Sequence, residues 1–233
     1  MRSAWRTVGP DTLRDIALVC VADAIVGVTF GAITVSGGLP SWIPISMSLL
    51  VFAGGAQFAA AGVMLAGGGA ATAVAAGLVL NTRLLPYGFA LADVLGGPWW
   101  TRLAGAHIVV DESVAFALRQ PDREHRRAAF LTSGAGLFVV WNLAVAAGVF
   151  VGRYVGNTNV IGLDAVFPAV LLALVMPALT DPGTRKAAVA GAVLAVAITP
   201  VLPPGLPVLA ALAGLILAWP SASPERDRTG AAG

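Results

Sequence analysis

The chain has 233 residues, 58% of them hydrophobic and 11% charged, with a mean hydropathy of +0.85. Soluble domains carry about a quarter charged residues, so a soluble domain is excluded and an all-α, polytopic integral membrane protein is expected. The net charge of +2 comes from basic residues dispersed over the loops, which gives no nucleic-acid footprint, and the single cysteine, Cys20, excludes a disulfide framework and argues against a Cys/His metal site.

A spanning helix needs about 20 mostly apolar residues. Residues 1–15 read as a polar cytoplasmic segment with no signal-peptide core directly behind it, so the apolar run 16–35 is expected to be retained as the first span. Residues 42–66 and 70–95 are the second and third expected spans, and 103–118 is a shorter fourth that holds Asp111 and Glu112. The charged loop "RQPDREHRRA" precedes a fifth span over 128–151. A sixth, 160–179, contains Asp164, Pro168 and Pro177. Residues 187–202 and 206–219 are short and read as two thin spans or one re-entrant hairpin, so 16–219 forms a transporter-sized domain of seven or eight helices; 220–233 reads as a disordered tail.

Cytoplasmic loops are enriched in Lys and Arg. With both termini inside, Arg2, Arg6, Arg14, Arg119, Arg123, Arg126, Arg127, Arg185, Lys186, Arg226 and Arg228 face the cytoplasm, leaving Arg102 and Arg153 outside and Arg83 within the membrane. No internal sequence repeat is evident. The G-x-x-x-G pairs Gly27–Gly31 and Gly148–Gly152 are candidate helix-packing faces.

Polar residues at mid-depth are costly and mark sites or pathways. Asp23, Gln57, Arg83, Asp111 and Asn142 all fall near the middle of expected spans. In "LVLNTRLLPYGFA", Pro86 removes the helical partner of the Thr82 carbonyl and pushes Leu85 from helical geometry, while Gly54 and Gly55 stand beside Gln57, so both helices are expected to be interrupted near the midplane. A simple proline kink is the alternative. His107 and Asp111, four apart, would share a helix face, with Glu112 turned about 100° away. One acid then pairs with Arg83, as a site or as a plain structural ion pair; His107 reads as a hydrogen-bonded interior residue, and Asp23 as a proton carrier or a protonated group against a carbonyl. Arg83 against Asp23, Asp111 and Glu112 leaves acid in excess, which protons or a positive group must neutralise. A zwitterionic amino acid with an aliphatic side chain suits such a site. No metal, cofactor or nucleophile–base motif is present, so a membrane enzyme working through His107, Asp111 and Glu112 is a rival reading, and a channel is another.

The segments "FAGGAQFAAAGVMLAGG", "LVLNTRLLPYGFAL", "VVDESVA" and "GLDAVFPAVLLALVMPAL" resemble, in order and spacing, the AzlC family, over about residues 15–219. The resemblance implies the large subunit of a proton-driven exporter of branched-chain amino acids (valine, leucine, isoleucine, with methionine a further cargo). It also implies a bacterial cytoplasmic (inner) membrane and a small AzlD-like membrane partner, for which small-residue faces such as 70–77 are candidate contacts. The family motifs fall on Gln57, on Asn81, Arg83 and Tyr87, on Asp111 and Glu112, and on the Asp164 segment. Where members often carry His directly after the arginine, this chain has Leu84, and Pro86 is unusual; a proton relay would here fall to His107 or an acid.

Overall fold

The computed structural model describes residues 7–154, 172, 176, 178–203 and 206–215. These are helical throughout, with no strand among the described residues. The helices are α1 (Pro10–Ser36), α2 (Trp42–Leu50), α3 (Gly54–Leu65), α4 (Ala70–Asn81), α5 (Leu84–Ala90), α6 (Trp99–His107), α7 (Asp111–Leu118), α8 (Arg123–Tyr154), α9 (Pro182–Ile198) and α10 (Leu206–Ala210).

Two helices form the frame. At 27 and 32 residues, α1 and α8 are roughly 40 and 48 Å long, enough to cross a hydrocarbon core of about 30 Å, and both are apolar enough to do so. They run parallel. Ile16 packs with Ala128 near their starts, Gly27 with Ala144 further on, and Gly152 with Ala32 near their ends. Both expected G-x-x-x-G faces are used, and against each other: a methyl group on Gly31 would fall on the Val145 carbonyl, and one on Gly148 on the Val28 carbonyl. The backbones touch, as small-residue crossings in membranes allow.

The parallel pair gives the bundle two ends: a basic end, where α1 and α8 begin with Arg14, Arg123, Arg126 and Arg127, and a far end with Arg153. At the basic end Asp122 starts α8 by accepting from the His125 N–H at 3.0 Å. Those bonds from His125 hold the Asp122 carboxyl below the usual carboxylate range.

The second and fourth expected spans do not cross. At the far end Arg153 donates to Ser41 at 2.9 Å. From there α2 descends along α8, with Ser48 donating to Asn142 at 2.8 Å, until the Phe52 ring meets Phe138 at 5.0 Å, half-way along α8. The chain breaks over residues 51–53, and Phe52 takes a φ of 40°. That left-handed conformation costs a bulky residue about 1–3 kcal/mol; burial of its ring to 5% exposure holds it there. Helix α3 then climbs back, from Gly54 against Trp141 to Leu65 over Gly37 at the end of α1. Residues 42–65 are thus a re-entrant hairpin from the far end.

The third expected span runs the length of the bundle, in two pieces. Helix α4 descends antiparallel to α3, packing Ala73 and Ala76 on Ala60 and Val63. Ala73 and Ala76 of the small-residue stretch 70–77 thus meet the chain's own α3, while Ala70, Ala71 and Val74 stay exposed. After a break at Thr82 and Arg83, α5 continues to the basic end, where Asp93 accepts from Arg126 at 3.5 Å and its carbonyl from Arg123 at 2.7 Å. The break lies upstream of the proline. Leu85 is helical, and Pro86 is the third residue of α5, where a missing N–H costs nothing; the Thr82 carbonyl accepts from Leu85 at 3.1 Å instead.

Helix α6 starts from the basic end and reaches mid-depth, where the His107 ring lies 5.4 Å from Phe138. The chain breaks over 108–110, and α7 returns, with Ile108 on Gly134 and Phe116 on Ala128. Residues 99–118 are a second hairpin, entering from the opposite end. His107 closes α6 and Asp111 opens α7, so the two do not share a helix face as the i, i+4 spacing suggested. This route also places Arg102 at the basic end, with Arg123, rather than opposite it.

Up to Tyr154 the chain is therefore a full-length helix and a hairpin from the far end, then a broken helix running back and a hairpin from the basic end, closed by α8. That is a repeat of inverted topology with no counterpart in the residue pattern. Helix α9 begins at Asp181, whose carboxylate accepts from the Thr184 N–H at 2.7 Å, and packs on the α10 segment where Gly191 meets the Ala211 carbonyl. Leu209 of α10 rests on the α3–α4 cluster. The expected sixth span, with Asp164, Pro168 and Pro177, lies almost wholly outside the described residues.

Candidate functional site

The three breaks meet at the middle of the bundle. Arg83, in the break between α4 and α5, reaches Asp111, the first residue of α7, with Nη2 to Oδ2 at 2.9 Å. Its guanidinium also lies over the start of α3: a methyl group on Gly55 would stand 3.4 Å from Nη2. A cation beside the positive end of a helix is electrostatically poor. Together they make a corner that attracts an anion, and Asp111 supplies one. The remaining Asp111 oxygen, Oδ1, is buried without a donor among the described residues.

Val110, extended at φ −134° and ψ 164°, turns the chain into α7. Ser113 fixes that turn. Its hydroxyl accepts from the Val110 N–H at 3.0 Å and donates to the Ile108 carbonyl at 2.9 Å, with the side chain fully buried. Ser113 escapes a search for mid-span charges; the local signal for it is a serine at the third position of an acid-led helix start.

A cavity of about 790 Å³ opens at this junction, within the range of small-ligand sites. Asp23 from α1, Arg83, and both Asp111 and Glu112 line it. The two acids stay about 100° apart around α7 and only Asp111 pairs with Arg83, yet both border the cavity because the first turn of the helix faces it. The other walls are apolar, including Val26, Phe58, Leu137 and Trp141.

Gln57 stands elsewhere. It is fully buried outside the cavity lining, donating to the Met47 carbonyl at 2.9 Å and accepting from the Trp141 indole N–H at 3.0 Å. It ties both arms of the first hairpin to α8. Gln57→Leu is expected to destabilise the fold by about 1–3 kcal/mol, since it leaves the Trp141 N–H unpaired in the core; a melting temperature equal to wild type would contradict that role. His107 donates from Nε2 to the Leu49 carbonyl at 2.8 Å, joining the tips of the two hairpins. Tyr87, on α5, hydrogen-bonds the Asp111 carboxylate, and Asn81 ends α4 with its buried Oδ1 without a partner among the described residues; neither lines the cavity. Among the described residues no group of three or more His, Cys, Asp or Glu is placed to hold a metal ion.

Apolar frame helices, opposed hairpins and a charged mid-depth cavity define a multi-pass membrane protein. Residues 19–155 match the family described as AzlC protein, and this is more than half of the chain, so the protein belongs to the AzlC family, a membrane family associated with transport. The match contains every candidate site residue except Asp164. A Helicobacter pylori (strain ATCC 700392 / 26695) protein named "Uncharacterized membrane protein" is 27% identical over 174 residues, covering 74% of this chain and 76% of that protein. No solved structure matches.

Proposed function

We propose that this chain is the large subunit of a proton-coupled secondary transporter that exports branched-chain amino acids: valine, leucine or isoleucine, with methionine as a further cargo. It would act with a small AzlD-like subunit in a bacterial cytoplasmic membrane, both termini in the cytoplasm. The observation that carries the reading is the meeting of two oppositely directed hairpins and a broken helix at a charged cavity. Inverted repeats and interrupted helices at the midplane are how secondary transporters bind cargo and expose it to alternate sides. The cargo carboxylate fits the corner of Arg83 and the start of α3. The aliphatic side chain fits against Phe58, Leu137 and Trp141. The basic end would be cytoplasmic, because it gathers Arg14, Arg102, Arg119, Arg123, Arg126 and Arg127 against Arg153 at the far end.

The test is efflux of labelled leucine from proteoliposomes, with and without a pH gradient, for this chain alone and with the small subunit encoded beside it. Gradient-stimulated efflux is expected only with both chains. Full efflux from this chain alone would remove the two-subunit requirement, and no efflux of any branched-chain amino acid from the pair would sink the cargo assignment.

A further inference from the structure

We infer that Asp23 and Glu112 form a seat for a primary ammonium group in the wall of the cavity that also holds the Arg83 corner. This deepens the transport reading and rests on it. The seat brings together α1 and α7, two elements remote in sequence. Both residues line the cavity. Among the described residues neither is in a salt bridge, and the one cation in the lining, Arg83, is engaged with Asp111 at 2.9 Å.

The hydrogen-bonding character of the walls points the same way. Among the lining residues only Arg83 and Trp141 have side-chain N–H donors, and the Trp141 N–H is taken by Gln57. The acceptors are in surplus: the three carboxylates of Asp23, Asp111 and Glu112 line the same cavity. A ligand that settles here must bring positive charge and several N–H donors together. An ammonium group has both, with three donors on one atom.

The test uses the purified protein with its small subunit and calorimetric binding of three probes: leucine, 3-methylbutylamine, which keeps the ammonium and lacks the carboxylate, and 4-methylpentanoate, which keeps the carboxylate and lacks the ammonium. Asp23→Asn and Glu112→Gln, each checked for an unaltered elution profile, are expected to weaken the amine by about tenfold or more, equivalent to ~1.4 kcal/mol. Both should bind 4-methylpentanoate as well as wild type does, or better. A retained amine affinity in both variants overturns the seat, and so does an equal loss of amine and acid. Leucine binding by wild type with no amine binding overturns the seat while leaving the cargo reading intact. Amine binding that depends on Asp23 with no leucine binding supports the seat and removes the amino-acid cargo; failure of all three probes on wild type overturns both.

Discussion

Arg83→Ala and Asp111→Asn should each lower transport by at least about a hundredfold while the protein still inserts and folds. Removing one partner of a charge pair that orients a ligand costs about 2–5 kcal/mol in the bound state, and ~1.4 kcal/mol is tenfold. The stability cost should be far smaller. The two side chains are 46% and 38% exposed, so the isolated pair is worth about 1 kcal/mol or less. The double variant is expected to be no worse than either single one, because the pair acts as a unit. Wild-type rates in both single variants would contradict the site, and loss of the protein from the membrane would make the pair a structural lock instead.

Gly148→Val should have the largest effect on folding. A side chain at that position would occupy the space of the Val28 carbonyl, and the neighbouring Gly152 approaches the Ala32 carbonyl oxygen at 2.7 Å from where its own Cβ would lie. Backbone cannot rotate aside as a flexible side chain does, so α1 and α8 must separate along their crossing. Overpacking alone costs about 1–3 kcal/mol, and parting the frame removes packing beyond that. Little or no monodisperse protein is expected after detergent extraction. A wild-type yield and melting curve would refute the tight crossing, and the open position Gly88, which has nothing within contact of a Cβ, serves as control.

The breaks in "FAGGAQ" and "NTRLLP" could be read from the chain because glycine and proline weaken helices and a mid-span arginine demands a partner. Their positions could not, since Pro86 is harmless in a first helical turn and the actual interruption is one turn earlier. The third break, at residues 108–110, carries no glycine or proline. Its only local sign is the β-branched run Ile108–Val110 before an acidic helix start, a pattern that hydropathy passes over. Whether an apolar stretch crosses or turns back is also hidden: residues 42–66 have the length of a span in either case. The direction is settled by tertiary ties such as Ser41 to Arg153 and Gln57 to Trp141, whose partners are remote in sequence. For the same reason the contacts of Gln57 were hidden: its amide is tied to the Met47 carbonyl and the Trp141 indole.

The central claim is that two hairpins enter from opposite sides and meet at Arg83 and Asp111. Single cysteines placed at Leu39, Gly67, Gly97 and Gln120 in a Cys20→Ala background, labelled in oriented vesicles with a membrane-impermeant maleimide, test it most directly. The inverted arrangement predicts that Leu39 and Gly67 react from one side, and Gly97 and Gln120 from the other. A chain in which residues 42–66 and 103–118 are ordinary spans would instead pair Leu39 with Gly97 and Gly67 with Gln120, and that pattern would contradict the account.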